Sequence, residues 1–542
     1  VSFRSLAMDA FLSGTVVMRE QKANTSIVPS MGQCLPRRRA NRRRADPLSS
    51  PVSNQPENPM NLGEYANLDG VGLARLVAAR EVTPAELAEL ARAAADAVNP
   101  HLNAIVEHWP LDASGRVSLD GGGPLAGVPF LIKDIAISMA GKRAELGSRL
   151  ARGCVAAGDS ALMTRFRDAG LVTIGRTTTP EMAFSTTTES TLQGATRNPW
   201  QPGVSAGGSS GGAAAAVAAG VVPVAHATDA AGSIRVPAAY NGLFGLKPTR
   251  GRSSNGPALD EVFSGFGVQL GVSRSVRDSA ALLDAVQNRD ATGEPYVTSA
   301  PANSFLSEVG RDPGRLRIGV MIDSWNGDRT DPAIAAAVND TARHLEGLGH
   351  HVSLETPSLG VSWEALVQAN ATIWTATMVG WIDGIAAATG RPVDATTLEP
   401  ATLACVRYGR HARATDYAAA LEVRNTVTRA VGAWFERFDV LLTPTLPHHA
   451  PAIGTYAQGS ESMNGLEWTD RVFRHSPFTP PFNVAGGPAM SVPLESDTTT
   501  GLPIGVQFAA GFAREDRLLR LAGQLEQSRP WRGRRPTVWV GS

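Results

Sequence analysis

Cysteine is scarce in this chain, with three residues in 542: Cys34, Cys154 and Cys405, far apart and without a CxxC pair. The scarcity excludes a disulfide framework and argues against a zinc site. It fits a reducing compartment, and the cytoplasm is the expected location. Net charge is missing too, since 50 basic residues balance 50 acidic ones. A neutral chain has no global field to recruit nucleic acid or an anionic membrane, so neither is an expected partner. Long apolar runs are absent as well. The most apolar stretch, Ala213 to Ala227, is broken by Gly220, Pro223 and His226 and falls short of the roughly 20 residues that a membrane-spanning helix needs. HExxH-type metal spacing is not found, and the pairs His350-His351 and His448-His449 read as surface or loop residues.

What is present is the composition of a globular protein, 43% hydrophobic and 18% charged, with ample material for a large core. Residues 1–59 stand apart. They carry "RRRANRRR" (Arg37 to Arg44), several prolines and no sustained period, and read as a disordered basic extension, with Met60 opening the folded part. Residues 60–542 are expected to form a single domain. Within it, Thr83 to Asn99 predicts a helix, capped by Thr83, with Pro84 at the first helical position and Glu86 completing a capping box. "GVPFLIKDI" (Gly127 to Ile135) predicts a strand buried on both faces, with Lys133 inside it. Asp159 to Thr177 reads helix, glycine stop, strand, and the order recurs around Gly220 and again from Leu316. The repeated units predict an α/β protein, a mixed central sheet with helices on both faces, and a helical insertion over Trp363 to Tyr417.

The stretch "GGSSGG" (Gly207 to Gly212) needs a purpose. Neither GxxxxGK[ST] nor GxGxxG is present, which removes the phosphate-binding readings, and the run leads straight into a strong helix, which removes a linker. A strained turn presenting a hydroxyl remains. Ser233, in "TDAAGSIR", is a second serine among small residues at the end of an apolar strand. Serine needs a base, normally histidine, and a buried neutral lysine can take that place. His226 lies within the strand, without a GxSxG elbow around Ser233, and reads as a hydrogen-bonded structural histidine.

The stretch "GGSSGGAAAAVAAGVVPVAHATDAAGSIRVPAAYNGLFGLKPTRGR" (Gly207 to Arg252) closely resembles the signature of the amidase signature family, serine hydrolases that cleave carboxamides with a Ser-cisSer-Lys triad. The likeness extends to "ATRNPW" (Ala195 to Trp200), "DVLLTPTLP" (Asp439 to Pro447) and "FNVAGGPAMSVPL" (Phe482 to Leu494), and is greatest to stand-alone amidases of the type that includes 6-aminohexanoate-cyclic-dimer hydrolases. The resemblance implies that Ser233 is the nucleophile, Ser209 a bridging serine after a cis peptide, and Lys133 the base. It implies an oxyanion hole made of the backbone N–H groups of Ala230, Ala231, Gly232 and Ser233, an acyl-enzyme intermediate, and no cofactor or metal. Gly207 and Gly208 are expected to let the backbone pass close to a substrate, and Trp374, Phe478 and Phe482 to line an apolar pocket. Asp229 and Arg235 are expected to hold the turn by hydrogen bonds and a charge pair. The family commonly has Gly-Gly-Ser where this chain has Ala231-Gly232-Ser233. An alternative within the family is the amidase subunit of a tRNA-dependent amidotransferase, which acts on glutamine with partner subunits. That subunit usually reads "SIRQPA" and "KPTYGR", against "SIRVPA" and "KPTRGR" here. The expected partner is a small-molecule amide substrate, with room for a homodimer.

Overall fold

The computed structural model describes residues 60–110, 122–287 and 293–541. The predicted basic extension over residues 1–59 lies outside the described residues. Helix α1 (Pro84–Leu102) starts where the sequence places it. The Thr83 hydroxyl accepts from the Glu86 N–H at 3.2 Å, and the Glu86 carboxylate accepts from the Thr83 N–H at 2.7 Å. It runs past the predicted end at Asn99, carrying Pro100 in its last turn, and stops at Asn103, whose φ of +49° is left-handed. Helices α2 (Ala161–Asp168) and α3 (Gly211–Ala218) follow, each leading through a glycine with positive φ, Gly170 and Gly220, into a strand.

In chain order the strands are β1 (Ile105–His108), β2 (Pro129–Lys133), β3 (Val172–Thr177), β4 (Glu189–Ser190), β5 (Gly194–Ala195), β6 (Val224–Asp229), β7 (Phe244–Lys247), β8 (Val268–Ser273), β9 (Arg317–Val320), β10 (His351–Leu354), β11 (Val440–Pro444), β12 (Ala489–Ser496) and β13 (Pro503–Ala510). Strands β4 and β5 pair by themselves. The other eleven form one mixed sheet in the order β1-β3-β2-β6-β8-β7-β12-β13-β11-β9-β10. Strand β2 lies parallel to β3 and β6, with Lys133 opposite Thr177 and Leu131 opposite Ala225. Every residue of β2 is buried, as the unbroken apolar run requires. The fold is α/β, as the repeated helix and strand units predict.

Helix α4 (Arg235–Asn241) follows β6, and α5 (Pro332–Gly347) joins β9 to β10. Between β10 and β11 the chain leaves the sheet for α6 (Trp363–Thr389), α7 (Pro400–Gly409) and α8 (Ala414–Arg437), so the helical insertion runs beyond its predicted end at Tyr417. Helices α9 (Gly465–His475) and α10 (Pro480–Ala485) pack with it. The core divides accordingly. One apolar cluster lies against the sheet, from Leu87 and Phe130 to Leu525, while a second gathers the insertion's aromatic residues with Phe184, Phe478 and Phe482. One histidine departs from its sequence reading: His350 is buried, its Nδ1 accepting from the Leu316 N–H at 3.1 Å.

Candidate active site

Because β2 and β6 are parallel neighbours, their C-terminal ends bring Lys133 beside Thr228 and Asp229. The Lys133 amine lies 2.7 Å from Ser209 Oγ and 2.8 Å from Thr228 Oγ1. Lys133 is 1% exposed and forms no ion pair among the described residues. Burial holds its pKa well below the usual 10.5, against a smaller opposing pull from Asp229. Desolvation of this kind disfavours the charged form of the amine.

Ser209 stands just before α3, and the Gly208–Ser209 peptide is cis. The glycines ahead of it are required by close packing within the protein. A Cβ on Gly208 would meet the Thr187 carbonyl oxygen at 2.6 Å, and one on Gly207, whose φ is +75°, would meet Pro237 Cα at 3.0 Å. Neither glycine is among the residues that line the cavity described below, and both pack closely, Gly208 on Thr187 and Gly207 on Pro237.

The turn after β6 is fastened by one buried ion pair. The Asp229 carboxylate accepts from the Gly232 N–H at 2.8 Å and the Ile234 N–H at 3.2 Å, and binds Arg235 through Nε and Nη2, each at 2.9 Å. Arg235 donates onward to the Thr479 carbonyl at 2.9 Å, to Gln507 at 2.7 Å and to Asn483 at 2.6 Å. The two residues hold the turn as expected. Positive φ falls on Gly232, at +130°, and not on Ala231, so the chain's alanine occupies a position that tolerates it. The Gly232 N–H, one of the four expected oxyanion donors, is taken by Asp229. The N–H groups of Ala230, Ala231 and Ser233 meet no acceptor among the described residues.

Ser233 is half-buried and, with Ser209, Thr228, Asp229 and Ala230, lines a cavity of about 70 Å³. Its far wall is aromatic: Phe184, Phe263, Trp374 and Trp381. Trp374 stacks on Phe263 with centroids 4.7 Å apart and lies 5.0 Å from Phe184. Trp374, expected to line an apolar pocket, is one of the residues around this cavity. Phe478 and Phe482 instead sit in the apolar core, 0% and 1% exposed, and do not line the cavity, because their segment packs against the insertion. Sequence reasoning passed over Phe184, Phe263 and Trp381. These come from segments far apart in the chain, and the left-handed backbone at Ala136, Met182, Ala183 and Phe263, all on the cavity wall, leaves no mark in the sequence. A larger groove of about 1010 Å³, lined by residues of α6 and α9, contains neither the lysine nor the two serines.

His226 is buried. Its Nδ1 accepts from the Lys133 backbone N–H at 3.2 Å and its Nε2 faces Gln269 Oε1 at 3.0 Å, while burial pushes its pKa down to about 3. It is a neutral structural residue, as its place in the strand suggested. Among the described residues, no cluster of His, Cys, Asp or Glu could hold a metal ion, and no helix is long and apolar enough to cross a membrane.

The family model for the amidases matches residues 86–519. The chain belongs to the amidase signature family. This amidase is 37% identical over 487 residues to the 6-aminohexanoate-cyclic-dimer hydrolase of Paenarthrobacter ureafaciens, covering 87% of this chain and 96% of that one. A structure of 6-aminohexanoate cyclic dimer hydrolase complexed with substrate superposes with a TM-score of 0.80 at 36% identity, over 88% of this chain and all of that one. A bacterial aryl acylamidase of the same family follows at a TM-score of 0.76 and 26% identity, over 86% of this chain and 96% of that one. None of the three is an amidotransferase subunit, and the amidase is an amidohydrolase.

Proposed function

We propose that this amidase is a stand-alone serine hydrolase of neutral carboxamides, working through an acyl-enzyme on Ser233 with Ser209 and Lys133 as its proton relay. One observation carries the reading: a fully buried lysine amine, with no carboxylate paired to it, lies 2.7 Å from Ser209 Oγ beside the cavity that Ser233 lines. Neutral Lys133 draws the proton of Ser209 as Ser209 takes that of Ser233, and the Ser233 oxygen attacks the amide carbonyl. Thr228, 2.8 Å from Nζ, fixes the amine between its two hydroxyl partners. The developing oxyanion falls to the free N–H groups of Ala230, Ala231 and Ser233, held ready by the Asp229 anchor. The proton returns along the same path to the leaving amine, and a water deprotonated by the relay releases the acid.

The lining also bears on substrate. Asp229 is its single charged residue, and that charge is matched by Arg235. A zwitterionic glutamine would lose its hydration there without a counter-charge, which favours a hydrolase of uncharged amides over the amidotransferase reading. The test is amine release by the isolated protein from a panel headed by the 6-aminohexanoate cyclic dimer, with aliphatic and aryl amides and glutamine. A neutral amide is expected to turn over, and Ser233→Ala and Lys133→Ala are each expected to lose about ten-thousand-fold or more in kcat. Glutamine turnover without any neutral amide, or a fully active Lys133→Ala, would overturn the reading.

A further inference from the structure

The cavity that Ser233 lines is small for an amide site. At about 70 Å³ it has less than half the volume of the roughly 150 Å³ cavity that holds a single benzene. A second cavity, of about 40 Å³, lies against it, and the two share Ile135, Ala136, Asn255 and Leu259 as walls. Beyond that partition the second cavity is mostly apolar, with Ile137, Leu146, Cys154, Val155, Ala156 and Pro257 on its walls. Its one charged residue, Asp159, is paired with Arg167 at 2.6 Å and accepts from the Ala140 N–H at 2.7 Å. Val155 is 49% exposed, so this wall reaches the molecular surface. The partition is not equally fixed along its length. Ile135 and Ala136 follow directly on β2, and Asn255 is held by Gln269 at 3.0 Å and by the Gly267 carbonyl at 2.9 Å. Leu259 lies on segment 257–263, which no backbone hydrogen bond ties to another element among the described residues. Side chains hold that segment: Tyr296 donates to Glu261 at 3.1 Å, and the Phe263 ring stacks on Trp374.

We infer that the two cavities are halves of one amide site, that the outer half takes an uncharged alkyl group of the substrate, and that Leu259 is the partition that yields to it. The inference rests on the reading of the Ser233 cavity as the amide site and deepens it. A rigid partition would confine the enzyme to amides of a few heavy atoms, whereas a yielding one joins the two volumes. Water leaves the apolar wall when an alkyl group enters, and each buried methylene strengthens binding about fourfold. A charged group gains nothing there, because Asp159 is already paired and no Lys, Arg or His lines either cavity. The favoured substrates are amides that extend an alkyl chain past Leu259. Leu259 is thus a specificity-determining residue: it sets which chain lengths are admitted and is no part of the proton relay.

The test reads binding apart from turnover by using the Ser233→Ala protein, with the half-buried thiol of Cys154 as reporter of the outer half. Acetamide and octanamide are the probes, and isothermal titration gives the Kd of each. Alkylation of Cys154 by N-ethylmaleimide is followed by peptide mass spectrometry, which separates it from the fully buried Cys405. Octanamide at about ten times its Kd leaves about one molecule in ten free, so alkylation should slow about tenfold, while acetamide should leave the rate as it was. Two substitutions in the Ser233→Ala protein keep the question open to titration should the thiol not react, with thermal melts verifying the fold. Cys154→Phe fills the outer half and should weaken octanamide about tenfold, and Leu259→Ala removes the partition and should tighten it about fourfold, with acetamide unmoved by either. Alkylation at an unchanged rate with octanamide bound, an octanamide affinity indifferent to both substitutions, or no octanamide binding overturns the inference. Protection of Cys154 without amide turnover by the parent protein would instead defeat the hydrolase reading and leave the joined site standing.

Discussion

The side of the cavity built by the sheet and the side built by α6 hold their residues in different ways. On the sheet side, the charged side chains are spoken for: Lys133 by Ser209 and Thr228, Asp229 by two N–H groups and Arg235, and Arg235 in turn by Thr479, Gln507 and Asn483. Backbone fits backbone so closely that a single Cβ at Gly208 has no room. On the helix side, aromatic rings stack on one another, and two indole N–H groups are left over. The first kind of construction fixes geometry before a substrate arrives. The second presents an apolar surface whose shape is set by stacked rings.

Breaking the Asp229 anchor is expected to give the largest effect. Arg235→Met leaves Asp229 buried and uncompensated and should cost about 3–5 kcal/mol in a urea titration, because the cost of an orphaned buried charge greatly exceeds that of a lost surface pair. Amide turnover should fall with it. A loss below about 1 kcal/mol would mean that the sheet side is no more constrained than the helix side.

Lys133→Met sharpens the contrast from the other direction. The lysine's folded pKa lies well below its usual 10.5, with burial the main cause. As pH falls from about 10.4, the unfolded chain takes up the proton that the folded chain refuses, so folding is penalised, and the penalty is complete below the folded pKa. Removing the amine should therefore raise the melting temperature at pH 7, abolish turnover, and give a difference from the parent that shrinks as pH rises through 10. A melting temperature that is lower at pH 7 would contradict the idea of a lysine kept neutral for its task.

The smallest effect belongs to the helix side's core. Phe478→Leu should cost about 1–2 kcal/mol in stability and leave the ranking of amides by kcat/KM as it was, since Phe478 packs away from the cavity. A reordered ranking would make the aromatic cluster one cooperative unit and blur the division between lining and core.

The sequence carried the sheet side far better than the helix side, and the reason is local. A lysine in an unbroken apolar run, glycines and serines in tight turns, and a capped helix each reveal themselves within about ten neighbouring residues. The order of the eleven strands does not, because β6 pairs with β8 across an intervening strand and β7 meets β12 from the far end of the chain. The aromatic wall is assembled from residues 184, 263, 374 and 381, and nothing local distinguishes these rings from Phe478 and Phe482, which the fold sends to the core. The glycines were recognised as necessary, but their neighbours were not: sequence shows that a side chain is absent, and only packing shows that Thr187 and Pro237 fill the space.

The insertion of α6 to α8 begins after β10, at the sheet's edge, and ends at β11, whose neighbours β9 and β13 come from elsewhere in the chain. Strand pairing therefore closes around the insertion without depending on it. In evolutionary terms this is an exchangeable cassette. Substitutions along the inner face of α6 can change which amides are admitted while Lys133, Ser209 and Ser233 stay in register, so such an enzyme can acquire a new diet without relearning how to cut.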